Sequence, residues 1–155
     1  MKAKPRNPNE SLFANGGGRF TILNGLLIGL ATLAAYQIGE ALYPLADPLA
    51  TNAHAQTMAF VVLSVSQLVH AFNLRHREKS LFEIGPFSNK YLIGAFFAGV
   101  VLQNVVILVP GLAKIFKVTP LELKDWGLVA LFSLLPLTAN EIAKLARKIF
   151  ARQSR

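Results

Sequence analysis

Four long stretches of the chain contain no Asp, Glu, Lys or Arg, and they constrain the fold more than any other feature. They cover residues 20–39, 48–74, 91–113 and 126–140. A helix that crosses a bilayer needs roughly 20 mostly apolar residues, because the hydrocarbon core is about 30 Å thick. The fourth stretch is shorter, but Asp125 with Trp126 at one end and Glu141 at the other suit the two interfaces. We therefore predict an all-α integral membrane protein with four spanning helices. The expected spans are about residues 21–43, 54–73, 91–109 and 125–145.

The composition agrees with a membrane protein. Of the 155 residues, 53% are hydrophobic and only 15% are charged, whereas about a quarter of the residues in a soluble domain carry a charge. The absence of cysteine excludes a disulfide framework and a thiolate metal site. Residues 1–18 are polar and hold no apolar signal segment, so we expect the first spanning helix to direct insertion.

The positive charge, a net +8, is sorted between the two sides of the predicted helices. One side holds thirteen of the 16 basic residues: Lys2, Lys4, Arg6, Arg19, Arg75, Arg77, Lys79, Lys90, Lys144, Arg147, Lys148, Arg152 and Arg155. The other side holds Lys114, Lys117 and Lys124. This positive-inside pattern predicts that both termini are cytoplasmic. Such charge is expected to attract anionic lipid rather than nucleic acid. We divide the chain into a cytoplasmic arm (1–19), a four-helix module (20–150) and a basic tail (151–155).

The first predicted helix carries Gly25 and Gly29, four residues apart. Residues at this spacing share one helix face, and two glycines there let the backbone of another helix come close. We expect Gly25 and Gly29 to support helix packing, although glycine is common in membrane helices and the pair can also arise by chance.

The second predicted helix carries polar residues at steps of three, which stay near one face. Ser64, Gln67, His70 and Asn73 follow this spacing. The face they form is expected to contact protein rather than lipid. For Ser64, Ser66 and Asn73 we favour interhelical hydrogen bonds. Gln67 lies near mid-depth, so its carbonyl oxygen is equally a candidate to face a cation. His70 is expected to be a satisfied polar residue near the cytoplasmic end.

The last two predicted helices also contain polar residues. Gln103 and Asn104 are adjacent and therefore point about 100° apart, so we interpret them as interhelical hydrogen bonders. Glu141 and Lys144 are three residues apart and are expected to pair at the interface. A proton-relay role for Glu141 would require a deeper position in the bilayer.

The segments between the helices give further expectations. The third helix is expected to end at Pro110 and Gly111. The mixed apolar and charged residues 112–125 are expected to lie along the outer surface. Pro136 removes one backbone hydrogen bond and is expected to kink the fourth helix.

Several chemical functions can be excluded from the sequence, and we predict no catalytic residue and no cofactor in this chain. A haem between His54 and His70 fails because sixteen residues of one helix separate them by about 24 Å. The glycine-rich NGGGR segment lacks the Lys-Ser or Lys-Thr of a phosphate-binding loop. The three histidines do not define a serine–histidine–acid triad.

Three segments carry a family resemblance. KPRNPNESLF (residues 4–13) is similar to a Pro-Arg-x-Pro-x-Glu-x-(Leu/Ile)-Phe pattern, and residues 56–92 contain TMAF, AFNLR and SLFEIG followed by SNK. The last part contains IFKVTPLELKDW and NEIAKLARK. Together they resemble the C-terminal transmembrane module of P-type cation-transporting ATPases, closest to the calcium-type pumps. The resemblance covers nearly the whole chain, as the seventh to tenth helices of such a pump.

The resemblance implies a supporting role in an ATP-driven cation pump. It places Gln67 at the position where the eighth helix contributes one side chain to a cation site. Some members have a carboxylate there, so a neutral glutamine implies that this second site is weakened or absent. It also implies that Gly25 and Gly29 pack against the central helix of the pump. The main cation site would lie on earlier helices.

Nothing in the chain resembles the Asp-Lys-Thr-Gly-Thr phosphorylation motif, the nucleotide-binding domain or the Thr-Gly-Glu loop of the family. We therefore expect no ATP hydrolysis by this chain alone. Ca²⁺ or another cation is the implied transported ion, and ATP with Mg²⁺ would act only in a complete pump. The implied partners are the lipid bilayer and the remaining parts of a P-type ATPase.

Two alternatives remain open at this point. The chain can be a stand-alone regulatory or assembly subunit of a pump. It can also be a small oligomeric transporter in which Glu40 or Glu141 binds a proton or cation.

Overall fold

The computed structural model of the protein describes residues 17–42, 48–75 and 79–153, and these residues form six helices. The helices are α1 (Gly17–Leu42), α2 (Pro48–Asn73), α3 (Leu81–Ile84), α4 (Lys90–Leu108), α5 (Pro110–Phe116) and α6 (Leu123–Gln153). Four of them, α1, α2, α4 and α6, are long and apolar enough to cross a membrane. The predicted all-α fold with four spanning helices is therefore confirmed.

The ends of the module differ from the expected boundaries. Helix α1 begins at Gly17, so residues 17–19, which we assigned to the arm, are helical. Helix α6 continues to Gln153, so residues 151–153 extend the last helix instead of starting a separate tail. In both places the helical hydrogen bonding of the backbone continues past the apolar residues. The predicted boundaries rest on the apolar residues alone. The rest of the arm, residues 1–16, lies outside the described residues.

The segment after the third span is also more regular than expected. Pro110 does not simply end a helix; it is placed at the start of α5. Proline suits the first turn of a helix because its missing N–H would have no intrahelical partner there. Helix α5 ends at Phe116, and the next residue, Lys117, has a left-handed backbone (φ 53°) that turns the chain toward Val118 and α6.

Helix α2 is the central element and packs against α1, α6 and α4, while α1 also contacts α6. The buried apolar cluster of the molecule joins these helices to the segment before α6. Its members are Ala35, Val61, Val62, Ile107, Val118 and Val129. Helix α4 is attached more loosely, and most of its surface is exposed.

The four spans run antiparallel, so the charges collect at two ends. The start of α1 meets the end of α2, where the rings of Phe20 and His70 stack 5.9 Å apart. The end of α6 lies at the same level, because Asn24 and Asn140 exchange hydrogen bonds. We call this end, with the start of α1, the segment 74–90 and the last third of α6, the basic end. Which end faces the cytoplasm stays a prediction.

Helix α1 packs against its neighbours with small side chains. Its buried face consists of Gly17, Asn24, Ile28, Ala31, Ala35 and Gly39. A Cβ atom on Gly39 would lie 2.9 Å from the sulfur of Met58 and 3.0 Å from the Cα of Ala55. Contacts this short show that the α1–α2 approach depends on the missing side chain of Gly39.

We expect Gly39→Ala to destabilise the chain by about 1–3 kcal/mol, because the added methyl group overpacks the α1–α2 contact. Reversible unfolding in mixed detergent micelles, followed by circular dichroism, measures this change. Gly25→Ala is the matched control, since a Cβ there meets nothing within 4 Å. The control should be no less stable than the parent, because alanine favours a helix by up to about 1 kcal/mol over glycine. Equal effects of the two substitutions would contradict the packing described for α1.

Candidate functional site

An open groove of about 310 Å³ lies between α1 and α2 near the basic end. Eight residues line it: Phe20, Thr21, Asn24, Gly25, Ile28, Gln67, His70 and Leu74. Five of these residues lie on α1. Gln67 and His70 lie on one face of α2, and Leu74 follows directly after the end of that helix, at steps of three and four residues. None of these eight lining residues carries a carboxylate.

Gln67 and Gly25 meet in this groove. The side chain of Gln67 is exposed, and the backbone of Gly25 leaves the space beside it open. Gly29, one turn further along α1, is likewise open. Gly25 thus lines the same groove as the exposed side chain of Gln67, and Gly29 is exposed one turn further along α1. A glutamine carbonyl is a neutral oxygen ligand for a hard cation.

The other polar residues of α2 divide between two directions. His70 is half-buried and faces the groove, where it stacks on Phe20. Asn73 is buried and donates a 3.3 Å hydrogen bond to the Pro136 carbonyl on α6. Ser66 is fully buried, and Ser64 is half-buried. The single polar face expected from the sequence is therefore split between the groove and the contact with α6.

The Pro136 carbonyl is the centre of a polar network that joins three helices. It accepts hydrogen bonds from Asn73 on α2 and from Asn140 on its own helix, the latter 2.6 Å long. Asn140 in turn exchanges hydrogen bonds with Asn24 on α1. Sequence reasoning missed Asn24 and Asn140 as partners, because no spacing rule connects residues that lie on different helices.

Gln103 and Asn104 on α4 differ in their hydrogen bonding. Asn104 donates a 2.8 Å hydrogen bond to the Val100 carbonyl, one turn earlier on the same helix. Gln103 is buried, and its amide nitrogen has no hydrogen-bond partner among the described residues. The functional roles that the sequence assigns to all these polar residues are not tested by their positions and stay predictions.

Glu141 fixes the loop at the basic end to α6. Its carboxylate accepts hydrogen bonds from the Ser80 hydroxyl and from the Leu81 amide. It also pairs with Lys144, with 2.9 Å between Nζ and Oε1, which is the pairing that the sequence indicates. Ser80 and Glu83 form a capping box at the start of α3. A carboxylate at free amide groups of a helix start is favourable because it supplies the acceptors that the helix lacks.

A second carboxylate of α6, Asp125, lies at the opposite end. Asp125 is fully buried, and its Oδ2 lies 3.3 Å from Nε2 of His54 on α2. The same oxygen accepts a 2.7 Å hydrogen bond from the Glu122 amide at the start of α6. Nearby, the Thr57 hydroxyl accepts a 2.9 Å hydrogen bond from the Thr119 amide. Sequence reasoning did not predict these contacts and indicated only the interfacial position of Asp125.

No metal centre is visible in the part of the chain that the structure describes: no three His, Cys, Asp or Glu side chains there lie close enough to hold a metal ion. Any cation at the groove would therefore take neutral oxygens from this chain and negative charge from elsewhere.

Comparison with known proteins identifies the family to which the chain belongs. Residues 1–146 match the family described as "Cation transporting ATPase, C-terminus". The fold, four spanning helices that carry polar side chains between them, defines a membrane module, and the chain belongs to this family of cation-transporting ATPases.

Curated relatives extend the comparison. The chain is 52% identical over 158 residues to calcium-transporting ATPase 1 of Bacillus cereus, which covers 96% of the chain and 18% of the relative. It is 40% identical over 148 residues to a calcium-transporting ATPase of Bacillus subtilis, with 96% and 16% covered. A calcium-transporting ATPase of Listeria monocytogenes is 34% identical over 151 residues, with 97% and 16% covered. The chain thus spans less than a fifth of the length of these relatives.

We expect Glu141→Gln to speed hydrogen exchange at the Leu81 amide by at least about tenfold. The reason is that hydrogen bonds to a charged group contribute about 1.5–3 kcal/mol, more than bonds to a neutral amide. Hydrogen–deuterium exchange of the protein in nanodiscs measures it. Glu83→Gln is the matched control, because glutamine can keep the capping box while losing the charge. Unchanged protection of Leu81 in Glu141→Gln would remove Glu141 as the anchor of this loop.

We also expect a pH effect at the exposed pair of Glu83 and Lys148. The hydrogen bond from Lys148 lowers the pKa of Glu83 below its usual range. The contribution of the pair to stability is therefore present above the ordinary glutamate pKa and is lost as the pH falls through the lower pKa of folded Glu83. Carboxyl ¹³C NMR titration should show a higher Glu83 pKa in Lys148→Gln. Lys144→Gln, which removes the lysine partner of Glu141, is the control and should leave the pKa of Glu83 unchanged.

Proposed function

We propose that the chain acts as the last four membrane helices of a calcium-type P-type ATPase, supporting the helices that carry the ion. The observation that carries this proposal is the groove, which offers the neutral amide of Gln67 and an open glycine face but no carboxylate on its lining. Ca²⁺ binds sites built from several oxygens with carboxylates among them. A groove of this kind suits one edge of a cation site that other helices complete.

In this proposal the central helix of the pump lies against Gly25 and Gly29, and Gln67 faces the ion path. Open glycines allow a helix backbone to approach closely, which supports such docking. The names of the relatives support Ca²⁺ as the transported ion. ATP and Mg²⁺ would act on the other domains of the pump, and the basic end would face the cytoplasm.

The two alternatives receive less support. Glu141, which a small transporter could use, already binds Ser80, Leu81 and Lys144. Glu40 is exposed on α1 and is not one of the residues that line the groove. A regulatory subunit would need a contact surface for a complete pump, whereas the match over residues 1–146 supports the chain as part of the pump itself.

A chimera tests the proposal. The matching C-terminal segment of the Bacillus subtilis relative is replaced by this chain, and ATP-dependent ⁴⁵Ca²⁺ uptake is measured in inverted membrane vesicles. We expect uptake that depends on ATP and is lost when the segment is deleted. A chimera that is expressed, inserted and phosphorylated by ATP but moves no Ca²⁺ would contradict the proposal.

Within the active chimera, Gln67→Leu should lower the apparent Ca²⁺ affinity and leave the thermal stability unchanged, because it removes an exposed carbonyl ligand. The Ca²⁺ dependence of phosphorylation by ATP measures the affinity. Ser66→Ala is the matched control, since Ser66 is adjacent in sequence but buried away from the groove. Unchanged affinity with lowered stability would instead make Gln67 a structural hydrogen bonder.

A further inference from the structure

The loop at the basic end is fixed in place by polar contacts. Besides the bonds from Ser80 and Leu81 to Glu141, Arg75 donates to the Gly85 carbonyl (3.1 Å) and to the Ser88 hydroxyl (2.8 Å). The capping box and the pair of Glu83 with Lys148 complete the attachment. The side chains that point away from these contacts therefore occupy defined positions.

These contacts also set the depth of the loop. Asp125 and Glu141 are separated by sixteen residues of α6, or about 24 Å along the helix axis. The hydrocarbon core is about 30 Å thick. Helix α3, whose first amide binds Glu141, therefore lies at the boundary between the acyl chains and the headgroups. Tyr91, in the first turn of α4, lies at the same boundary because the apolar span follows it directly.

Three aromatic side chains of this segment are almost fully exposed, although the segment is firmly attached. Phe82 is 76% exposed, Phe87 79% and Tyr91 91%, whereas Leu81 between the contacts is buried at 6%. We call these three residues the aromatic surface. Two exposed phenylalanines on a fixed loop would be unfavourable in water, but aromatic rings are favoured at the membrane interface.

Two exposed basic residues are adjacent in sequence to this region: Lys90 precedes Tyr91, and Arg147 precedes Lys148, the partner of Glu83. Among the residues of this region that the structure describes, the acids Glu83 and Glu141 are each paired with a lysine. Lys90 and Arg147 are exposed, and no side-chain ion pair to either is seen among the described residues. A positive surface at headgroup depth attracts anionic lipid.

We propose that the aromatic surface is a membrane anchor that inserts into the interface of an anionic leaflet, with Lys90 and Arg147 binding the lipid phosphates. The proposal does not depend on the transport role of the chain. Anionic phospholipid, rather than another protein domain, is the partner favoured by the depth of α3 and by the unpaired positive charge beside it.

The single tryptophan of the chain makes the anchor measurable. In a Trp126→Phe background, tryptophan is introduced as Phe82→Trp, Phe87→Trp or Tyr91→Trp, and the full chain is reconstituted in vesicles of phosphatidylcholine with phosphatidylglycerol. We expect blue-shifted emission, quenching by lipids brominated near the top of the acyl chain, and little quenching by aqueous iodide. Circular dichroism confirms that each variant keeps its helices.

The lipid preference is tested with brominated phosphatidylglycerol against brominated phosphatidylcholine, using Phe87→Trp as the probe. Lys90→Gln and Arg147→Gln should each lower the relative binding of the anionic lipid about fivefold, the value expected for one base near the surface. Lys114→Gln and Lys117→Gln, at the opposite end, are the matched controls and should leave it unchanged.

Two results would overturn the proposal. Tryptophan probes that are quenched by iodide but not by brominated lipid would show that the aromatic surface faces water, as a docking surface for a cytoplasmic domain would. Quenching that is equal for the two brominated lipids, and that does not change in Lys90→Gln and Arg147→Gln, would show that the aromatic surface does not prefer anionic lipid.

Discussion

The structure depends on one constraint, which is that backbone polar groups inside a bilayer must find hydrogen-bond partners within the protein. The Pro136 carbonyl illustrates it. It lies inside the bundle and accepts hydrogen bonds from the side-chain amides of Asn73 and Asn140. Asn24 extends this network to α1. Three helices are thereby joined at one depth, and the groove between α1 and α2 lies directly beside the joint.

The same constraint explains where Asp125 and Glu141 of α6 lie. Asp125 near one end binds the Glu122 amide and lies beside His54, and Glu141 toward the other end binds Ser80 and Leu81. Each carboxylate thus supplies acceptors to a helix start and also holds a connecting segment. Helix α6 therefore fixes the loops at both ends of the bundle, while small residues such as Ala35 and Gly39 set the distance between α1 and α2.

The spans could be predicted from the sequence because hydrocarbon thickness sets a length that uncharged stretches must reach. The ends of α1 and α6 could not, since Gly17–Arg19 and 151–153 continue a helix by hydrogen bonding that hydropathy does not record. Packing was also only partly predictable. The sequence predicted a packing face at Gly25 and Gly29. The face that contacts α2 instead contains Ala31, Ala35 and Gly39, small residues that are also spaced four apart. Nothing within α1 tells which of two such faces meets a neighbour in this chain.

The candidate site shows the same division between local and non-local information. The helical steps of α2 were enough to place Gln67 and His70 on one face, but Asn24 joins them only through the contact of α1 with α2. The network and the groove together separate two roles for polar side chains. The amide nitrogens of Asn73 and Asn140 donate to the Pro136 carbonyl, whereas Gln67 is exposed in the groove that Gly25 also lines. In the pump that we propose, helices outside the four described spans would cover this open face and complete the binding surface.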